Sequence, residues 1–158
     1  MSSFDANEHQ HQRYNPLKDE WVLVSPHRMK RPWAGKIEKK EDEKVPEYDE
    51  KNPLCPGNTR SSGKTNEQYT ATYLFDNDFP ALETNAVVPP PSSDKFFCVA
   101  PAAGECKVMC FHPKSNVTLP LMSRNEVKAV VDKWAELIVD MKTRNRFVFF
   151  LNLLVKMF

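Results

Sequence analysis

Short apolar runs separated by long polar stretches set the pattern of this chain, and each run predicts an element. Trp21-Val22-Leu23-Val24 is continuous, β-branched and aromatic, which predicts a buried strand. Asn15-Pro16 and Lys18-Asp19-Glu20 before it are turn chemistry, and Ser25-Pro26 ends it, because proline brings no N–H to a ladder. Tyr69 to Phe75 alternates and predicts a second strand, running into Asp76-Asn77-Asp78. Phe96 to Val99 and Cys106 to Pro113 predict two more, the latter with Val108, Cys110 and His112 on one face. From Ser123 the period changes to that of a helix. Val127, Val130, Val131, Trp134, Ile138 and Met141 form its apolar stripe, and Lys128, Asp132, Lys133, Glu136 and Asp140 its polar face. Ser123 and Glu126 make a capping box, with Met122 and Val127 as the staple.

Strands followed by one strong helix, with 13 prolines against 4 glycines, predict a loop-rich α+β protein. Residues 1–12 read as a polar tail, in which His9 and His11 are expected to be solvated. Residues 35–52 read as an exposed charged loop, and 144–158 as a hydrophobic tail. At 158 residues the chain suits one domain or part of something larger.

A formal charge of +1 removes the broad basic field of a nucleic-acid binder. The Phe147–Val155 run, interrupted by Asn152, is too short to span a bilayer. The 4 cysteines have no secretory context, which makes reduced thiols of the cytoplasm the expectation. One-signed charge gathers at His27, Arg28, Lys30 and Arg31, bounded by Pro26, Pro32 and Trp33, whereas the charges of the 35–52 loop compensate one another. Such a cluster at a strand end suits a small anion, since arginine offers a bidentate fork and lysine a point charge. A solvated basic loop is the plainer alternative. Asn77 and Asp78 stand at a strand end where ligand contacts gather, although the same residues also cap turns. Ser61-Ser62-Gly63-Lys64 lacks the spacing of a phosphate loop. Cys106 and Cys110 would lie about 13 Å apart along a strand, too far to chelate one ion.

Four strings together, RYNPLKDEWVLVSPHRMKRPW, LCPGNTRSSG, YTATYLFDNDFPAL and CKVMCFHPKSNVTLPLM, resemble the N-terminal part of the galactose-1-phosphate uridylyltransferases. The likeness runs in order from about residue 9 to residue 143 and is closest to eukaryotic-type members. It implies an incomplete histidine-triad-superfamily fold: an antiparallel sheet with a flanking helix, in a dimeric enzyme. The implied activity is UMP exchange between UDP-glucose and galactose 1-phosphate through a uridylyl-histidine. Arg28, Lys30 and Arg31 match the loop that reaches the sugar-phosphate ligand across the dimer, and Ser61, Asn77 and Asp78 match nucleotide-sugar contacts. Cys55 matches a zinc ligand of bacterial members. Asn52 and Ser115 stand at two further ligand positions, and the fourth, within an H-P-H motif, has no counterpart. His112 is a candidate substitute. The family's nucleophile also lies in that H-P-H motif, whereas this sequence departs after Thr143, so no catalytic residue is assigned. Three expectations follow: a truncated uridylyltransferase, an interaction protein pairing with a full-length subunit as a mixed dimer, or a frame-shifted product.

Overall fold

The computed structural model describes residues 3–31, 45–146 and 148. In chain order its elements are β1 (His11–Asn15), β2 (Glu20–Val24), β3 (Tyr73–Asp76), β4 (Val99–Pro101), β5 (Lys107–Cys110) and α1 (Arg124–Lys142), with 3₁₀ turns at Pro26–Lys30 and Leu119–Leu121. The α+β expectation holds. The chain forms two compact units, one from 1–36 with 79–107 and one from 37–78 with 108–158. No described helix is long and apolar enough to cross a membrane. Most of the charged loop expected at 35–52, and most of the 144–158 tail, lie outside the described residues.

In the first unit β1 is the central strand of a sheet ordered β2-β1-β4, antiparallel to both neighbours. Its sequence, HQRYN, carries no apolar alternation, so its pairing comes from backbone hydrogen bonding on both edges rather than from a side-chain pattern. This corrects the reading of 1–12 as a solvated tail, because His11 is 0% exposed. The tight connection to β2 has Asp19 at φ 52°, a left-handed conformation that aspartate tolerates, and Tyr14 Oη donates to its carboxylate at 2.8 Å.

β2 forms where the apolar run predicts, yet it is not buried. Trp21, Val22 and Leu23 are 49%, 45% and 42% exposed. β2 is an edge strand of its sheet. The strand expected at Phe96–Val99 starts only at Val99. The Asp94 carboxylate takes the Phe96 and Phe97 N–H groups at 2.7 and 3.0 Å, and this side-chain turn replaces the ladder there. Those two bonds hold the Asp94 carboxyl below its ordinary range.

In the second unit β3 and β5 pair. The predicted strand from Tyr69 is shortened to Tyr73–Asp76 because the Tyr69 and Tyr73 rings stack, with centroids 4.7 Å apart. Side chains four apart on a strand lie about 13 Å from one another, so that stacking requires a bend.

Helix α1 has both halves of the expected capping box. Ser123 N–H donates to Glu126 at 2.7 Å, and the Glu126 N–H returns to Ser123 Oγ at 3.4 Å. Its buried face is the predicted stripe turned slightly toward Leu137. Val130 and Leu137 are buried, Val127, Trp134, Ile138 and Met141 half-buried, and Val131 is 50% exposed. Trp134 meets Phe111 edge to face at 5.5 Å.

Hydrogen bonds from the Ser123 hydroxyl and then its N–H hold the Glu126 carboxyl below its ordinary value. A lowered folded-state value contributes stability that is full above the unfolded carboxylate range and lost as pH falls through the lowered value. Glu126→Gln is therefore expected to lower the urea midpoint at neutral pH and to leave it less sensitive to acid than wild type. Equal acid sensitivity in the two proteins would contradict this.

Candidate functional site

In the first unit the cationic cluster sits on the Pro26–Lys30 3₁₀ turn, whose Pro26 suits the first helical position. Ser25 Oγ donates to the Ala81 carbonyl at 2.7 Å and His27 Nε2 to the Pro80 carbonyl at 2.8 Å, pinning the turn to the 80–81 segment. Arg28 and Arg31 are exposed, and among the described residues neither guanidinium meets a side-chain partner. Lys30 differs, since its ammonium is hydrogen-bonded to the Glu8 carboxylate.

In the second unit the residue that organises the predicted contacts is Arg60, which lies in the LCPGNTRSSG string but is assigned no role there. It is 7% exposed, pairs with Asp78 at 3.1 Å and donates to the Asp76 carbonyl at 3.3 Å. Its guanidinium carbon lies 4.0 Å from the Phe75 ring centroid, a cation–π contact, while its buried Nε has no partner. Arg60 also opens the tight turn that carries Ser61: Arg60 N–H bonds the Lys64 carbonyl at 2.8 Å, and Gly63 closes the turn at φ 82°. One buried ion pair thus ties the Ser61 turn to the Asn77-Asp78 strand end. Ser61 is exposed, and Asn77 and Asp78 are half-buried. Nothing in the local sequence joins Arg60 to Asp78. The available signal is a lone arginine between two turns.

Cys55 is 2% exposed, and the structure does bring Asn52, Cys55 and Ser115 together. Ser115 Oγ lies 3.0 Å from Cys55 Sγ and accepts from Asn52 Nδ2 at 3.2 Å. A structural zinc ion takes four thiolate, imidazole or carboxylate donors. Here one thiol faces a hydroxyl and an amide that already satisfy one another. His112 does not fill in: its Nδ1 accepts from the Lys114 N–H at 3.0 Å, and its Nε2 meets Glu126 at 3.3 Å. These residues do not fit zinc. The neighbouring Tyr69 phenol is pushed far up by burial and donates to the Leu54 carbonyl at 2.5 Å. Burial likewise raises the Cys110 thiol, so that it stays protonated at neutral pH.

Residues 2–152 match a family model described as the N-terminal domain of galactose-1-phosphate uridyl transferase. This chain belongs to that family. The rat galactose-1-phosphate uridylyltransferase is 58% identical over 140 residues, covering 89% of this chain and 37% of the rat protein. A probable galactose-1-phosphate uridylyltransferase of Drosophila melanogaster is 55% identical over 131 residues, 83% of this chain and 37% of its own. A solved uridylyltransferase structure shares the fold with a TM-score of 0.58 at 22% identity, covering 88% of this chain and 37% of that one. The chain therefore spans a little over a third of the length of these uridylyltransferases.

Proposed function

We propose that this chain supplies the nucleotide-sugar-binding part of a UDP-glucose:galactose-1-phosphate uridylyltransferase in the cytoplasm, with a histidine-triad-superfamily fold. The observation that carries this reading is the Arg60–Asp78 pair, formed by the residue before Ser61 and the residue after Asn77, with the Arg60 guanidinium over the Phe75 ring. Asn77 and Asp78 there provide the amide and carboxylate that hydrogen-bond hydroxyl groups of a nucleotide sugar. Arg28 and Arg31, exposed on their turn, supply the forks for a phosphate group. No metal-dependent step is assigned to the Cys55 cluster.

Transfer through a uridylyl-histidine needs an accessible imidazole lone pair. His9 Nδ1 accepts from the Asp5 N–H at 2.9 Å, and His11 Nε2 accepts from Arg13 Nε at 2.8 Å. His112 Nδ1 is occupied by the Lys114 N–H, and His27 Nδ1 is buried. Every histidine lone pair is engaged or inaccessible. Incubated with UDP-glucose labelled at the α-phosphate, a polypeptide of these 158 residues is expected to bind nucleotide sugar without becoming labelled. A stable phosphoramidate on any of its 4 histidines would overturn the assignment.

A second reading, an interaction protein that pairs with a full-length subunit, is favoured by the exposed apolar edge strand β2. The two readings are compatible, because the Arg28 turn follows directly on that strand.

A further inference from the structure

We infer that Glu8 sets the anion affinity of the Arg28–Arg31 turn by acting as an internal counter-ion to Lys30. The inference rests on the reading of that turn as a phosphate site. Glu8 is mounted on a built turn rather than on a loose end. The Asp5 carboxylate takes the Asn7 N–H at 2.8 Å, and the Asp5 carbonyl takes the Glu8 and His9 N–H groups at 3.2 and 2.9 Å. The Asp5 N–H returns to His9 Nδ1 at 2.9 Å, closing the turn on itself. Phe4 packs against the His11 ring edge to face at 5.5 Å, and His11, fully buried, donates from Nδ1 to the His9 carbonyl at 2.8 Å. The Lys30 side is fixed in turn by the Ser25 and His27 bonds to the 80–81 segment. Two anchored turns thus hold a carboxylate against one of three neighbouring cations.

The electrostatic sign follows directly. With Glu8 in place, a phosphate approaching Arg28 and Arg31 meets a net local charge of about two cations rather than three. To use Lys30 it must displace a carboxylate. The pair is open to water, with side chains 69% and 48% exposed, so it is displaceable rather than locked. Glu8 therefore weakens anion binding at rest and favours a doubly charged phosphate, which replaces a carboxylate on lysine more readily than a singly charged anion does.

The test is a ³¹P NMR titration of the full chain with inorganic phosphate. Glu8→Gln is expected to tighten binding by about three- to five-fold, the scale of one exposed ion pair, and Glu8→Ala to act in the same direction. Adding Lys30→Gln to Glu8→Gln should cancel the gain, which a merely structural Glu8 would not produce. Glu8→Asp keeps the charge and should bind less tightly than Glu8→Gln. Thermal melting of each variant separates loss of fold from a change in affinity. Unchanged or weaker binding by folded Glu8→Gln and Glu8→Ala proteins, with binding still weakened more than ten-fold by Arg28→Ala/Arg31→Ala, would overturn the counter-ion role and leave the phosphate site standing. Phosphate binding indifferent to Arg28→Ala/Arg31→Ala would overturn both.

Discussion

Arg60→Met is expected to destabilise the chain by about 3–5 kcal/mol, the cost of removing one partner from a buried ion pair. Methionine fills a similar volume and stays packed on Phe75, so the destabilisation reports the charge rather than a cavity. It strands the Asp78 carboxylate, which is 14% exposed, without its counter-ion. It also releases the Asp76 carbonyl, which Arg60 holds at 3.3 Å. The double variant Arg60→Met/Asp78→Asn should recover part of the stability, because no buried charge is then left unpaired. Urea unfolding followed by the helix signal of α1 measures both. A cost below about 1 kcal/mol for Arg60→Met would mean the pair is solvated and organises nothing. Nucleotide-sugar binding is expected to weaken with it, since the buried ion pair between the Ser61 turn and the Asn77-Asp78 strand end is then lost.

Legibility follows the range of the interaction. Helix α1 is readable because its cap and its stripe are local: Ser123 finds Glu126 within one turn. Even there the periodicity omits Leu137 and overcounts Val131, since the two stand at opposite edges of the stripe and a small rotation exchanges them. β1 is invisible in sequence because HQRYN forms a strand through backbone pairing to β2 and β4. β2 is legible as a strand but not as an exposed one, because a run of apolar residues does not say whether anything covers them. The candidate site divides along the same line. The cluster at 28–31 shows as charge in sequence, whereas the counter-ion of Lys30 lies at Glu8, beyond the two strands of a hairpin. Arg60 and Asp78 likewise meet only after folding.

Arg28→Ala/Arg31→Ala is expected to weaken phosphate-ligand binding by more than ten-fold without changing the fold. Removing a charge-assisted hydrogen bond costs roughly 1.5–3 kcal/mol. Both side chains are exposed, and none of the described packing rests on them. The turn itself is held by Ser25 and His27 and should survive. If the turn serves a neighbouring subunit, the effect belongs to a mixed assembly. The nucleophile then comes from a full-length partner and the guanidinium forks come from this chain.

The deciding measurement is therefore a UDP-glucose titration of mixed dimers, isolated by a tag on a full-length family member co-expressed with this chain. Wild-type chain should give a mixed dimer that binds UDP-glucose. The Arg28→Ala/Arg31→Ala chain should assemble equally well, because exposed charges add little to packing, and should bind UDP-glucose more than ten-fold more weakly. A mixed dimer whose affinity is indifferent to the double substitution, or failure of the wild-type chain to assemble at all, would contradict the claim that this chain lends its cationic turn to a uridylyltransferase site.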